Sequence, residues 1–117
     1  MRNRNIREIN FKKKLVLGTM KLNNYFNNSN ELSKFLTYAH QNGIKQLHVS
    51  KEYVSYKLLL KSLKLIKKKF KFIVKLAEPV DVNKKFNLKR FKSKLKKYSE
   101  DLGKKILIHF NGLTDIN

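Results

Sequence analysis

Along this chain a short apolar run followed by a longer stretch of helical periodicity occurs three times in succession, and a fourth apolar run closes the series. Leu15-Val16-Leu17 ends at Gly18-Thr19 and reads as a buried strand. A polar connector follows, in which Asn23, Asn24, Asn27, Asn28, Ser29 and Asn30 read as loop and offer helix caps. Glu31 then sits in a first turn, where the helix dipole favours an anion. The spacing of Leu32, Phe35, Leu36 and Ala39 predicts a helix over residues 31–42, stopped by Gly43. Residues 44–50 return to strand character through Leu47 and Val49, and residues 56–69 are again helical, with Leu59, Leu60, Leu63 and Ile66 as the apolar stripe. Residues 70–76 form a third strand whose β-branched centre, Ile73 and Val74, suits a pleated buried surface, and Pro79 closes it. Leu88, Phe91, Leu95, Tyr98 and Leu102 mark a third helix stopped by Gly103, and Ile106-Leu107-Ile108 is a fourth strand ending at His109.

The strand centres lie roughly 30 residues apart, the length of one βα unit. The expected fold class is therefore α/β with parallel strands. No Gly-x-Gly-x-x-Gly follows the first strand, which weakens a doubly wound dinucleotide-binding reading. The expectation is a (β/α)8 TIM-barrel type of which the first four βα units are present, a half barrel, spanning residues 1–117 with residues 1–13 as a basic N-terminal extension.

Composition bounds the function classes. Hydrophobic residues at 41% and aromatics at 11% are too many for a disordered tail. With no cysteine there is no disulfide framework, no thiolate metal site and no cysteine nucleophile, which points to a cytoplasmic protein. No apolar run approaches the ~20 residues of a membrane span, and the polar start lacks a signal-peptide core, so no membrane association is expected. The net charge of +20 raises the question of a polyanion partner. Its texture answers it: 24 Lys against 4 Arg, with abundant Asn, Ile and Phe, is what codon drift in an AT-rich genome produces. Nucleic-acid readers lean on Arg, whereas these lysines spread along nearly every segment. A solvated basic surface is the expectation. The alternative is a small basic binding module with non-specific nucleic-acid affinity.

In a (β/α)8 barrel, chemistry sits where strands end and βα loops begin, so polar residues there are the candidates. Four qualify: His48, Tyr53, Lys75 and His109. At this point the sequence resembles the aldo-keto reductases, from about Lys14 onward. LVLGTM at 15–20 is similar to the family's first strand and AHQNGI at 39–44 to its Gly-Ile helix exit. The family's second strand ends in Asp, Thr and Ala with a Tyr five residues after the Asp; here His48, Val49 and Ser50 are followed by Tyr53. Lys75 in IVKL matches the strand-three lysine and His109 in ILIHF the strand-four histidine.

The resemblance implies an NAD(P)H-dependent carbonyl oxidoreductase acting on a carbonyl or sugar-type small molecule, with Gly18, Thr19 and Met20 near the NADP(H) cofactor. Tyr53 would be the general acid, since hydride arrival on a carbonyl leaves an alkoxide that needs a proton. A phenol titrates near ~10, so a neighbouring lysine must favour its ionised form, and Lys75 would be that neighbour. His109 would hydrogen-bond and orient the substrate carbonyl. His48 stands at the family's aspartate position and supplies no anion for Lys75. The family continues through four further βα units that grip most of the cofactor. The chain is therefore expected to be an incomplete or inactive fragment as it stands, completed by a C-terminal half barrel or by self-association.

Overall fold

The structure, a computed structural model, describes residues 15–76, 83, 85–103 and 105–110; the expected basic extension and Pro79 lie outside the described residues. The fold is α/β. In chain order the elements are β1 (Val16–Gly18), α1 (Leu22–Tyr25), α2 (Ser29–Gln41), β2 (Gln46–Val49), α3 (Tyr56–Lys64), β3 (Lys71–Leu76), α4 (Leu88–Leu102) and β4 (Ile106–Phe110). All four strands are parallel, in the order β1-β2-β3-β4. Each connection therefore moves one place along the sheet in the same direction.

Local chemistry explains the helix limits. At the start of α2 the Asn28 Oδ1 accepts from the Glu31 N–H at 2.9 Å, while Glu31 Oε2 accepts from the Asn27 N–H at 3.2 Å, a reciprocal cap of the capping-box kind. At its end Gly43, with φ of 91°, occupies the left-handed region; its N–H donates to the His40 carbonyl and that of Ile44 to the Ala39 carbonyl, closing a Schellman motif. Asn87 caps α4 by accepting from the Arg90 N–H at 3.0 Å, and Gly103 ends it at φ 89°.

Two expectations are corrected. Residues 22–25, read as loop, form the single helical turn α1, closed by Phe26 N–H donating to the Leu22 carbonyl at 3.0 Å. The helix expected over residues 56–69 stops at Lys64. There the Leu65 N–H donates to the Ser62 carbonyl, tightening the last turn, and the run Lys67-Lys68-Lys69 offers no opposite charge to carry the helix on.

Strand pairing sorts the side chains by face. Leu17, Leu47, Phe72 and Ile106 form one register row, with Val49 and Val74 in the row that follows on the same face. These pack with Leu32 and Leu36 of α2, Leu59 of α3 and Tyr98 of α4 into the core. Each fully buried Leu there contributes on the order of 2 kcal/mol of transfer free energy. The opposite face carries the row Gly18, His48, Ile73 and Leu107, followed by Lys75 paired with His109. Leu107 is 61% exposed. One face of the sheet thus holds the core, and the other presents the polar strand-end residues.

Candidate active site

The four strand-end candidates lie near the carboxyl end of the sheet. His48 projects from β2 and His109 from β4 onto the face away from the core, and they reach across β3 so that His48 Nε2 and His109 Nδ1 stand 3.1 Å apart. Tyr53 comes from the β2–α3 loop. Successive turns shape that loop: the Tyr53 N–H donates to the Ser50 carbonyl and the Tyr56 N–H to the Tyr53 carbonyl. Its phenol oxygen lies 3.4 Å from His48 Nδ1, a long hydrogen bond. The result is a chain, Tyr53–His48–His109. Proton placement can run from the phenol O–H into His48 Nδ1 and from His48 Nε2–H into His109 Nδ1, or in the reverse sense. Lys75 sits beside His109 in strand register.

Electrostatics distinguishes the members. Burial first, then His109, then Lys75 hold the His48 imidazole below the usual histidine value, so it is neutral at pH 7. Burial first, then Tyr98, push the Tyr53 phenol above its usual value, so it keeps its proton at neutral pH. Lys75 is not among the groups that shift it. The His48 imidazole, not an ammonium, stands against the phenol oxygen, and the charge of Lys75 acts on His48.

The state of His48 sets a pH dependence. Its folded pKa is depressed, so the unfolded chain binds that proton more readily. The stability it confers is fully present above about pH 6.5 and is lost as pH falls through the lower native value. Between about pH 7.5 and about pH 5 the urea midpoint of the parent chain should therefore fall further than that of His48→Asn. An equal fall in both proteins would show that His48 is not perturbed.

The residues matched to a cofactor behave differently. Thr19 is buried, and both its N–H and its hydroxyl donate to the His48 carbonyl, at 3.2 and 2.8 Å. Its own carbonyl accepts from the buried Ser55 hydroxyl at the head of α3. Thr19 is thus a staple joining β1, β2 and α3. A Cβ on Gly18 would meet nothing within 4 Å, and Met20 is about half exposed. The four-residue α1 beyond them begins without a side-chain cap. The N–H, hydroxyl and carbonyl of Thr19 are committed to the fold, while Gly18 and Met20 lie open beside it.

Tyr98 escaped a reading based on helical stripes, which treats it as an apolar core residue. Its phenol oxygen accepts from the Lys51 N–H at 2.8 Å and donates to the Lys75 carbonyl at 3.4 Å, tying the β2–α3 loop to the end of β3. Next to it, edge-on at 6.2 Å between centroids, Tyr56 donates to the Asp101 carboxylate at 2.8 Å. Burial and that carboxylate hold the Tyr56 phenol far above its usual range. Among the described residues no three His, Asp or Glu side chains converge as a metal site, and no helix is long and apolar enough to cross a membrane. No protein-family model matches the chain, and neither a curated protein nor a solved structure is significantly similar to it.

Proposed function

We propose that this chain carries the first four βα units of an aldo-keto reductase-like (β/α)8 barrel, with the carbonyl-facing residues of an NAD(P)H-dependent oxidoreductase. The observation that carries this reading is the hydrogen-bonded chain Tyr53–His48–His109 on the coreless face of the sheet, at the carboxyl ends of the strands. The strand order supports it. A doubly wound sheet reverses direction at a switch point, whereas β1-β2-β3-β4 proceeds one way, as a barrel requires. Among the described residues β1 and β4 each leave an edge unpaired, and closure would satisfy both.

In this reading a carbonyl oxygen lies against the Tyr53 phenol, which retains its proton and donates it as negative charge develops on the oxygen. His109 orients that oxygen through the ring nitrogen not engaged with His48. Lys75 meets a neutral imidazole where its carboxylate partner belongs, so the positive field on the phenol is poorly directed. NADP(H) would supply the hydride, with Gly18, Thr19 and Met20 near it and most of its grip on the further βα units of such a barrel.

The test supplies that half. The chain fused to the second half of a related aldo-keto reductase barrel should oxidise NADPH in the presence of a simple aldehyde. His48→Asp in the fusion should raise the rate about tenfold or more, part of the ~10²–10⁴ that general acid catalysis contributes. The same change in the 117-residue chain should leave its rate at background. Equal rates for the parent fusion and its His48→Asp variant would show that the imidazole serves adequately, and that the site is not impaired.

A further inference from the structure

On the core side of the sheet, where α4 meets the end of β3 and the loop after β2, a cavity of about 440 Å3 opens to the surface. Its lining includes Lys51, Lys94 and Lys97, with Leu76 and Tyr98 as buried apolar surface. Glu52 is the one carboxylate among the lining residues. The Tyr98 hydroxyl bridges the Lys51 N–H and the Lys75 carbonyl, which fixes two walls of the pocket relative to α4. The cavity is therefore built by tertiary contacts.

Lys51 and Lys97 line the same pocket, and the neighbouring Lys97 side chain holds the Lys51 amine below the usual lysine value. Asp101 pulls the other way, but its carboxylate already accepts from Tyr56. An ammonium has three donors and no acceptor, so two of them cannot satisfy one another. Two ammonium groups on one wall repel one another, and an anion that accepts from both relieves that repulsion. Lys94 stands one turn before Tyr98 on α4 and adds a third donor to the same wall.

We propose that this pocket binds a small phosphate-bearing molecule, its phosphate held by Lys51, Lys94 and Lys97 and its organic part against Leu76 and Tyr98. Three lysines in the lining of one pocket suit a dianion, and charge-assisted hydrogen bonds are the strong ones. The volume falls within the range of small-molecule sites, and the carboxyl edge of a parallel sheet is where α/β folds hold ligands. A concave site with an apolar wall favours a small ligand over a nucleic-acid backbone, which needs an extended basic track. This site does not depend on the reductase reading.

Calorimetric titration with phenyl phosphate tests it on the full chain. Saturable one-site binding is expected, tighter than that of inorganic phosphate because the ring meets Leu76 and Tyr98. The double variant Lys51→Gln/Lys97→Gln should bind about tenfold or more weakly. The control Lys34→Gln/Lys61→Gln removes the same charge from exposed positions on α2 and α3 and should change affinity less than about twofold. All four residues are exposed, so both variants should keep the parent circular dichroism. Absence of saturation, or equal weakening in both variants, would overturn the proposal. A single-stranded oligodeoxynucleotide forms the second arm and should weaken equally in both variants. If it weakens only in the pocket variant while phenyl phosphate does not bind, the phosphate belongs to nucleic acid and the small-ligand proposal fails.

Discussion

Leu47→Ala is expected to lower the unfolding free energy by about 3 kcal/mol, within the ~2–5 kcal/mol found for truncating buried leucines, whereas Leu107→Ala should cost less than about 1 kcal/mol. Both residues are strand leucines, Leu47 inside its register row and Leu107 at the β4 end of its own. They differ in the face they occupy. Leu47 is completely buried between Leu17 and Phe72 and packs into the core formed with the helices. Truncation there removes its transfer free energy and leaves a cavity that neighbours fill only in part. Leu107 lies in the row of Gly18, His48 and Ile73 and is 61% exposed, so most of its side chain already meets water. Urea titration of the two variants against the parent reads the difference directly, with unchanged slope marking a true loss of stability. A domain of this size holds only some ~5–15 kcal/mol in total, so the first variant should be visibly closer to unfolding at room temperature. Equal costs at the two positions would mean that the face bearing His48 and His109 is as well covered as the core, and that the sheet is not one-sided.

Much of this arrangement is legible in the amino-acid order, because the determinants are local. Leu32, Leu36 and Ala39 recur at helical spacing and are buried, and Gly43 and Gly103 end helices with positive φ. Alternation in residues 71–76 places Phe72, Val74 and Leu76 inside and turns Ile73 and Lys75 the other way. The length of the βα unit anticipates the parallel sheet.

What the sequence hides is of two kinds. A four-residue helix such as α1 is too short to show a period, and its Asn-rich composition matches that of a loop. Long-range polar contacts leave no local trace either. Tyr98 fits an apolar stripe while its hydroxyl meets Lys51, 47 residues away in the chain. Thr19 occupies a position matched to a cofactor, yet its hydroxyl is bound to the carbonyl of His48, 29 residues on. The juxtaposition of His48 and His109 depends on strand order, which the spacing of βα units suggests, and on two rings meeting over β3, which it does not.

The second large effect concerns Tyr53. In the fusion proposed above, Tyr53→Phe removes only the phenolic O–H, and the fold should tolerate it, since that group's hydrogen bond to His48 is long and the residue is only partly buried. Catalysis should not tolerate it. In the proposed reaction the Tyr53 phenol, kept protonated by burial beside a neutral His48, is the group that gives its proton to the carbonyl oxygen. Loss of a general acid costs ~10²–10⁴-fold in rate, and a loss confined to kcat with KM unchanged would place the defect in the chemical step. The decisive measurement is aldehyde-dependent NADPH oxidation by the fusion carrying Tyr53 and by the fusion carrying Tyr53→Phe, at equal folded concentration. A fall of about 100-fold or more with unchanged circular dichroism is the predicted result. A Tyr53→Phe fusion that reduces the aldehyde as fast as its parent would contradict the assignment of this sheet edge as the carbonyl site.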